Sequence, residues 1–192
     1  PEVPKDIQYL PEARRVDLEA PDDGPWFLGV RVRDYAGNWS EIEYLEYVRD
    51  TTPPAPPAIR EPALDARGYL ASNSFSAEWE PPAGDDVAGY AWSLDYLAGP
   101  EAMRLLASLS GSAGTDPALF AFQDAAARRF ETKRPPARVM TSGTTAAFSN
   151  LDDGIYALSV AAVDSVGNVG EPAVRFLALD KYVPYTHVAF VD

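Results

Sequence analysis

The chain has no cysteine. That excludes a disulfide framework, a thiol nucleophile and a thiolate metal site, although it does not fix the compartment. Histidine occurs once, at His187. One imidazole cannot build a typical zinc site without other ligands gathered around it. In a terminal segment it reads as a surface residue rather than as the base of a triad. No apolar run approaches the roughly 20 residues that a membrane helix needs, so no membrane insertion is expected within these residues. Basic residues are scarce: 16 Lys and Arg stand against 29 Asp and Glu, a net charge of −13. Such a surface repels phosphate backbones, which argues against nucleic acid as a partner, and otherwise favours solubility. There is no phosphate-binding glycine loop, no HExxH and no GxSxG. The acidic pairs at 22–23, 85–86 and 152–153 lack the regular ligand spacing of a calcium loop and read as turn formers. The expectation is therefore a chain with no catalytic residue, no metal and no cofactor. The sequence begins at Pro1 and reads as a piece of a larger protein, so any targeting signal would lie outside it.

What is present is ample apolar content, 46% over 192 residues, enough for one large domain or one domain and part of another. An internal repeat organises it. The segment from Asp22, DDGPWFLGVRVRDYAGNWSE, returns 130 residues later, from Asp152, as DDGIYALSVAAVDSVGNVGE. Gly24/Gly154, Leu28/Leu158, Val30/Val160, Asp34/Asp164, Gly37/Gly167, Asn38/Asn168 and Glu41/Glu171 are identical without a gap, and the register runs on to Asp50/Asp180 and Pro54/Pro184. Asp-Asp-Gly is a turn. The strand that follows alternates Trp26, Leu28, Val30 and Val32 with Phe27, Gly29, Arg31 and Arg33. In the second copy Tyr156, Leu158, Val160 and Ala162 take the first set. A period of two with one apolar face predicts a half-buried strand. Ala36-Gly37-Asn38 and Val166-Gly167-Asn168 mark a tight connection. A second β-rich run follows, Ile42 to Val48 or Ala173 to Leu179, so each copy is a hairpin. Asp34 and Asp164 are expected to satisfy backbone groups of the turn.

Between the copies, residues 51–57 (TTPPAPP) read as a stiff, extended linker. Phe75, Ala77 and Trp79 alternate with Ser74, Ser76, Glu78 and Glu80, a strand that stops at Pro81-Pro82. Val87 to Tyr96 is the next strand, with Tyr90, Trp92 and Leu94 in phase. Thr144 to Leu151 is another, with Phe148 facing the core. The expected core is Phe75, Trp79, Tyr90, Phe148, Leu158 and Val160.

Phe75-Ser76-Ala77-Glu78-Trp79-Glu80-Pro81-Pro82, then Val87-Ala88-Gly89-Tyr90, then Leu151 five residues before Tyr156, resemble the fibronectin type III family. The Asp164-x-x-Gly167-Asn168 hairpin and the Asp50-Thr51-Thr52-Pro53-Pro54 linker resemble those of Ig-like and type III repeats in large bacterial exported proteins. The resemblance covers about 53–97 and 141–180, and residues 21–54 as a matching half. It implies an all-β fold: a fibronectin-type-III-like β-sandwich over 58–180, preceded in residues 1–50 by the C-terminal half of the same unit. A further strand around Arg14 to Leu18 is expected there. Residues 181–192 are left as a linker or the start of a following domain, and Tyr182 to Asp192 are apolar enough to act as an added strand over the first hairpin.

The resemblance fails over about 98–140. Glu101 to Ser110 and Pro117 to Phe130 are rich in helix formers. Asp116 before Pro117 suits an N-cap with proline at the first helical position, and Leu119, Phe122, Ala126 and Phe130 fall near one helical face. Arg128, Arg129, Lys133, Arg134 and Arg138 reverse the local charge. Either this insertion covers the sandwich, its basic end solvated or paired with the chain's own carboxylates, or it is a partner-binding element. Trp39, at the hairpin tip, is the one tryptophan outside the core parity. The candidate interaction residues are thus Trp39, Arg128, Arg129, Lys133 and Arg134.

The functional expectation is a non-catalytic structural or interaction module of a multi-domain exported protein, periplasmic or at the cell surface. Its partner would be a protein or the neighbouring domains of the same chain. The alternatives are a carbohydrate-binding accessory domain of a hydrolase, for which exposed Trp39 is the support, and a sensor ectodomain whose helical insertion binds a partner.

Overall fold

In the computed structural model, the described residues are 15–66, 68–84, 86–102 and 116–181, with the side chains of 116–121 set aside. The chain divides between Thr52 and Pro53 into two compact units.

Among the described residues, the first unit holds one hairpin. Strands β1 (Gly24–Val30) and β2 (Glu43–Arg49) pair antiparallel from Gly24↔Arg49 to Val30↔Glu43. An Arg33↔Trp39 bridge closes its far end. Residues 15–21 form no strand, contrary to the expectation around Arg14 to Leu18. The run (RVDLEAP) does alternate, Val16 and Leu18 against Arg15, Asp17 and Glu19, but both apolar side chains are exposed and no strand pairs with it among the described residues.

The second unit is antiparallel and mostly β. Strands β3 (Ala58–Ile59), β4 (Phe75–Glu80) and β6 (Thr145–Phe148) form one sheet in the order β3-β4-β6. Strands β5 (Val87–Ala98), β7 (Gly154–Asp164) and β8 (Ala173–Leu179) form another in the order β5-β7-β8. Helix α1 (Asp116–Arg129) lies between β5 and β6 in the chain, where the residue pattern places it. The Glu101 to Ser110 helix falls mostly outside the described residues.

The two sheets share one core. Ala77 and Trp79 of β4 and Ala146 of β6 meet Tyr90 of β5, Tyr156, Leu158, Val160 and Ala162 of β7, and Leu177 and Leu179 of β8. Alternation in β4 accounts for this directly, because Ser76, Glu78 and Glu80 face the opposite way and are exposed. Trp79, 2% exposed, meets the Tyr90 ring edge-on at 5.5 Å. Phe75 and Phe148, register partners across β4 and β6, stack at 5.2 Å, and Trp92 meets Phe148 at 5.1 Å. Both phenylalanines are only partly buried and pack on the rim of the core.

Strand β7 departs from the half-buried strand that its alternation predicts: every one of its 11 residues is buried. Its second face carries Ile155 and Ala157, and the insertion covers them. Phe122, Ala125, Ala126 and Phe130 pack there with Phe176 and Ala178 of β8. The small side chain of Ala157 lets the helix approach closely.

The Trp79 indole N–H has no hydrogen-bond partner among the described residues, so its contribution is packing rather than polarity. Trp79→Ala is expected to destabilise the second unit by about 3–5 kcal/mol. Trp79→Phe should cost clearly less, since no hydrogen bond is lost. Urea unfolding of both variants checks the order. Equal losses would mean that the indole nitrogen is bonded in solution.

Candidate functional site

The repeated hairpin turn carries a carboxylate-centred hydrogen-bond network in both units. In the second unit the Asp164 carboxylate is buried. Its Oδ1 accepts backbone N–H groups from Val166 (3.0 Å), Gly167 (2.7 Å) and Asn168 (2.8 Å). Its Oδ2 accepts the Asn168 side-chain amide at 2.7 Å. Gly167, at φ 99°, supplies the left-handed backbone that aims successive N–H groups at one oxygen. Burial alone pushes this carboxyl's pKa up. The hydrogen bonds, that of the Asn168 side chain foremost, outweigh it and hold the pKa below the ordinary carboxylate value.

The first unit repeats this arrangement in the open. Asn38 donates to Asp34 from its backbone (2.8 Å) and its side chain (3.0 Å), with the side-chain bond the larger cause of a lowered Asp34 pKa. At the hairpin's other end the Thr51 hydroxyl (2.8 Å) and backbone N–H (3.2 Å) donate to Asp23, with the Arg49 guanidinium 3.6 Å away. Thr51 is the main cause of the lowered Asp23 pKa. These carboxylates accept backbone N–H groups and the side chains of Asn168, Asn38 and Thr51 within their own hairpins.

Trp39 sits just beyond the turn, 43% exposed. Arg31 places its guanidinium carbon 4.4 Å from the ring centroid, and Arg33 does so at 5.6 Å. Arg33 also donates to the Gly37 carbonyl at 3.1 Å. The aromatic surface is thus already engaged by two cations of its own hairpin.

Arg128 and Arg129 end helix α1, where cations suit the carbonyl end of the helix dipole. Arg128 pairs with Asp124, one turn back, at 2.8 Å. Arg134 pairs with Glu171 at 2.6 Å. Arg129, Lys133 and Arg138 are exposed. The basic run is therefore partly matched by carboxylates of its own unit rather than gathered into one cationic pocket. Surface pairs like these contribute little to stability.

Gln123 escaped the sequence reading. Its side-chain amide donates to the Phe176 carbonyl at 2.7 Å, and its carbonyl accepts the Phe176 N–H at 2.8 Å. It thereby stands in for a strand along the outer edge of β8. The Leu70 N–H does the same for the Ala178 carbonyl at 2.8 Å. At the sheet's other edge, Tyr90 exchanges backbone hydrogen bonds with Met140 and Thr141. Gly89 permits that crossing: a Cβ there would lie 2.5 Å from Val139 Cγ1 and 2.7 Å from the Thr141 carbonyl. The only sequence signal was an amide at position 123 beside a helical apolar face.

The Asp164 network sets a pH dependence. A carboxyl whose pKa is lower folded than unfolded contributes stability above its unfolded pKa, and that contribution is lost as pH falls through the folded value. Asp164→Asn should cost about 1.5–3 kcal/mol at pH 7, the loss of hydrogen bonds to a charged acceptor. The gap between wild type and variant should narrow below about pH 4. Urea midpoints at pH 7 and pH 3 check both; a gap that does not narrow at pH 3 would separate the loss from Asp164's charge. Compared with known proteins, the chain matches no protein-family model and no curated protein sequence.

Proposed function

We propose that the chain is a non-catalytic structural or interaction module of a multi-domain exported bacterial protein. In this reading the second unit is a fibronectin-type-III-like β-sandwich with a helical insertion, and the first is a partial copy of the same fold. The observation that carries the proposal is the repeated hairpin. The same Asp-x-x-Gly-Asn turn, with the same hydrogen bonds onto Asp34 and onto Asp164, is used twice in one chain. A unit used in series, whose turn carboxylates serve its own hairpin, suits a spacer or an adhesive segment.

The insertion supports the structural side of this reading. Its helix, Gln123 and residues 139–141 are spent on one face and two edges of the β5-β7-β8 sheet, so it completes the unit rather than standing apart as a binding arm. The carbohydrate reading rests on Trp39. There Arg31 lies against the ring and competes with a sugar for it.

Affinity electrophoresis separates the two. The whole chain and its Trp39→Ala variant are run through gels containing soluble glucan, xylan or mannan. The structural-module reading expects unchanged relative mobility for both proteins. Retardation of the wild type that Trp39→Ala abolishes would replace it with the carbohydrate-binding reading.

A further inference from the structure

The internal repeat shows what a hairpin of this type is covered by when its unit is complete. In the second unit β7 pairs with β8 along one edge and with β5 along the other, and the β3-β4-β6 sheet lies over Tyr156, Leu158 and Val160. Their counterparts in the first unit are Trp26, Leu28 and Val30. Among the described residues β1 pairs with β2 alone. Trp26 is 37% exposed, Val30 51%, and across the ladder Leu45 is 64% and Tyr47 58%. A two-stranded hairpin is marginal by itself, and an unpaired strand edge beside an apolar face is a template for another strand.

The direction of that edge is fixed. Val32 accepts the Ser40 N–H, and the Asp34 N–H bonds the Asn38 carbonyl, so even-numbered residues turn their backbone groups towards the β2 side. Odd-numbered Phe27 and Gly29 therefore turn theirs to the free edge. Pro25, which has no N–H, stands at the start of that same edge.

We propose that the free edge of β1 accepts an antiparallel polypeptide strand patterned like Val87–Ala98, with apolar residues facing the Trp26, Leu28, Val30 side and carboxylates on its other side. The register of the second unit gives the positions. Tyr96, Trp92 and Leu94 stand opposite Tyr156, Val160 and Leu158, and so mark the apolar positions opposite Trp26, Val30 and Leu28. Ala91 and Gly89 stand opposite Ala161 and Val163, whose counterparts are Arg31 and Arg33. Two guanidiniums there, both exposed, favour carboxylates on the incoming strand. The opposite face of the hairpin differs from its counterpart: Glu46 stands where the second unit has Phe176, which packs against α1. Phe27, Tyr44 and Val48 share that face with Glu46, so the carboxylate preference of the added strand rests on Arg31 and Arg33. The proposal stands on the internal repeat and is independent of the carbohydrate question.

The test uses the whole chain and a peptide with the sequence of residues 87–98 carrying Gly89→Glu and Ala91→Glu. Its control carries Gly89→Lys and Ala91→Lys. Amide hydrogen exchange is read residue by residue. The expected result is saturable slowing at Phe27 and Gly29, about tenfold or more, with β7 unchanged. The Lys peptide should bind roughly tenfold more weakly, and the difference should shrink in high salt. No protection of Phe27 and Gly29 at saturating peptide would overturn the proposal. Protection that appears without peptide as chain concentration rises would overturn it in favour of a second copy. Equal binding of the two peptides would overturn the carboxylate requirement.

Discussion

A strand buried along its whole length must have both faces covered and both rows of backbone groups paired. Strand β7 imposes that constraint on the second unit. An unpaired buried N–H or C=O costs of the order of 1–3 kcal/mol, so the neighbours of β7 are not optional. β5 and β8 take its two edges, and the core shared with β3, β4 and β6 takes one face. The other face would be an exposed apolar surface without helix α1. The insertion then resolves the next problem outward, because β5 and β8 have edges of their own. Met140 and Thr141 bond Tyr90 on one side, and Gln123 and Leu70 bond Phe176 and Ala178 on the other. The long departure from a simple strand-and-turn pattern is thus a cover for a sheet that would otherwise end in open edges.

The two hairpins separate local from tertiary causes. The Asp34 and Asp164 turns share the two bonds from the following Asn and the backbone bond back to it, although one is exposed and the other buried. Turn chemistry is therefore a property of the Asp-x-x-Gly-Asn segment, with glycine at the left-handed position and Asn four residues after the carboxylate. Burial is not such a property. Leu28 and Leu158, identical in sequence and register, differ because among the described residues only Leu158 has an opposing sheet.

Much of this was legible in the residues. The alternation of Phe75, Ala77 and Trp79 set the inward face of β4, the 130-residue offset set both hairpins, and Asp116-Pro117 marked the start of α1. What could not be read was the second face of β7. Ala157, Ser159 and Ala161 resemble the solvent side of an amphipathic strand, because small residues give no hydrophobic signal. Helix α1 packs on Ala157 and makes it interior, and Ser159 and Ala161 are buried as well, Ser159 without a partner for its hydroxyl among the described residues. Gln123 was invisible for a similar reason: an amide on a helix becomes an edge cap only when a strand end lies beside it. Of the candidate interaction residues, Trp39 proves to be engaged by Arg31 and Arg33. The basic run proves to be divided between ion pairs and solvent, which charge counting cannot distinguish from a patch.

Cover, not sequence, is the source of the difference between the two hairpins. Native-state hydrogen exchange across a denaturant series measures this most directly. The amides of β7 should exchange only through global unfolding of the second unit, with protection factors on the order of 10⁴ or more, while those of β1 exchange through local opening, at least about a hundredfold faster. Matching exchange in β1 and β7, with the same dependence on denaturant, would contradict it.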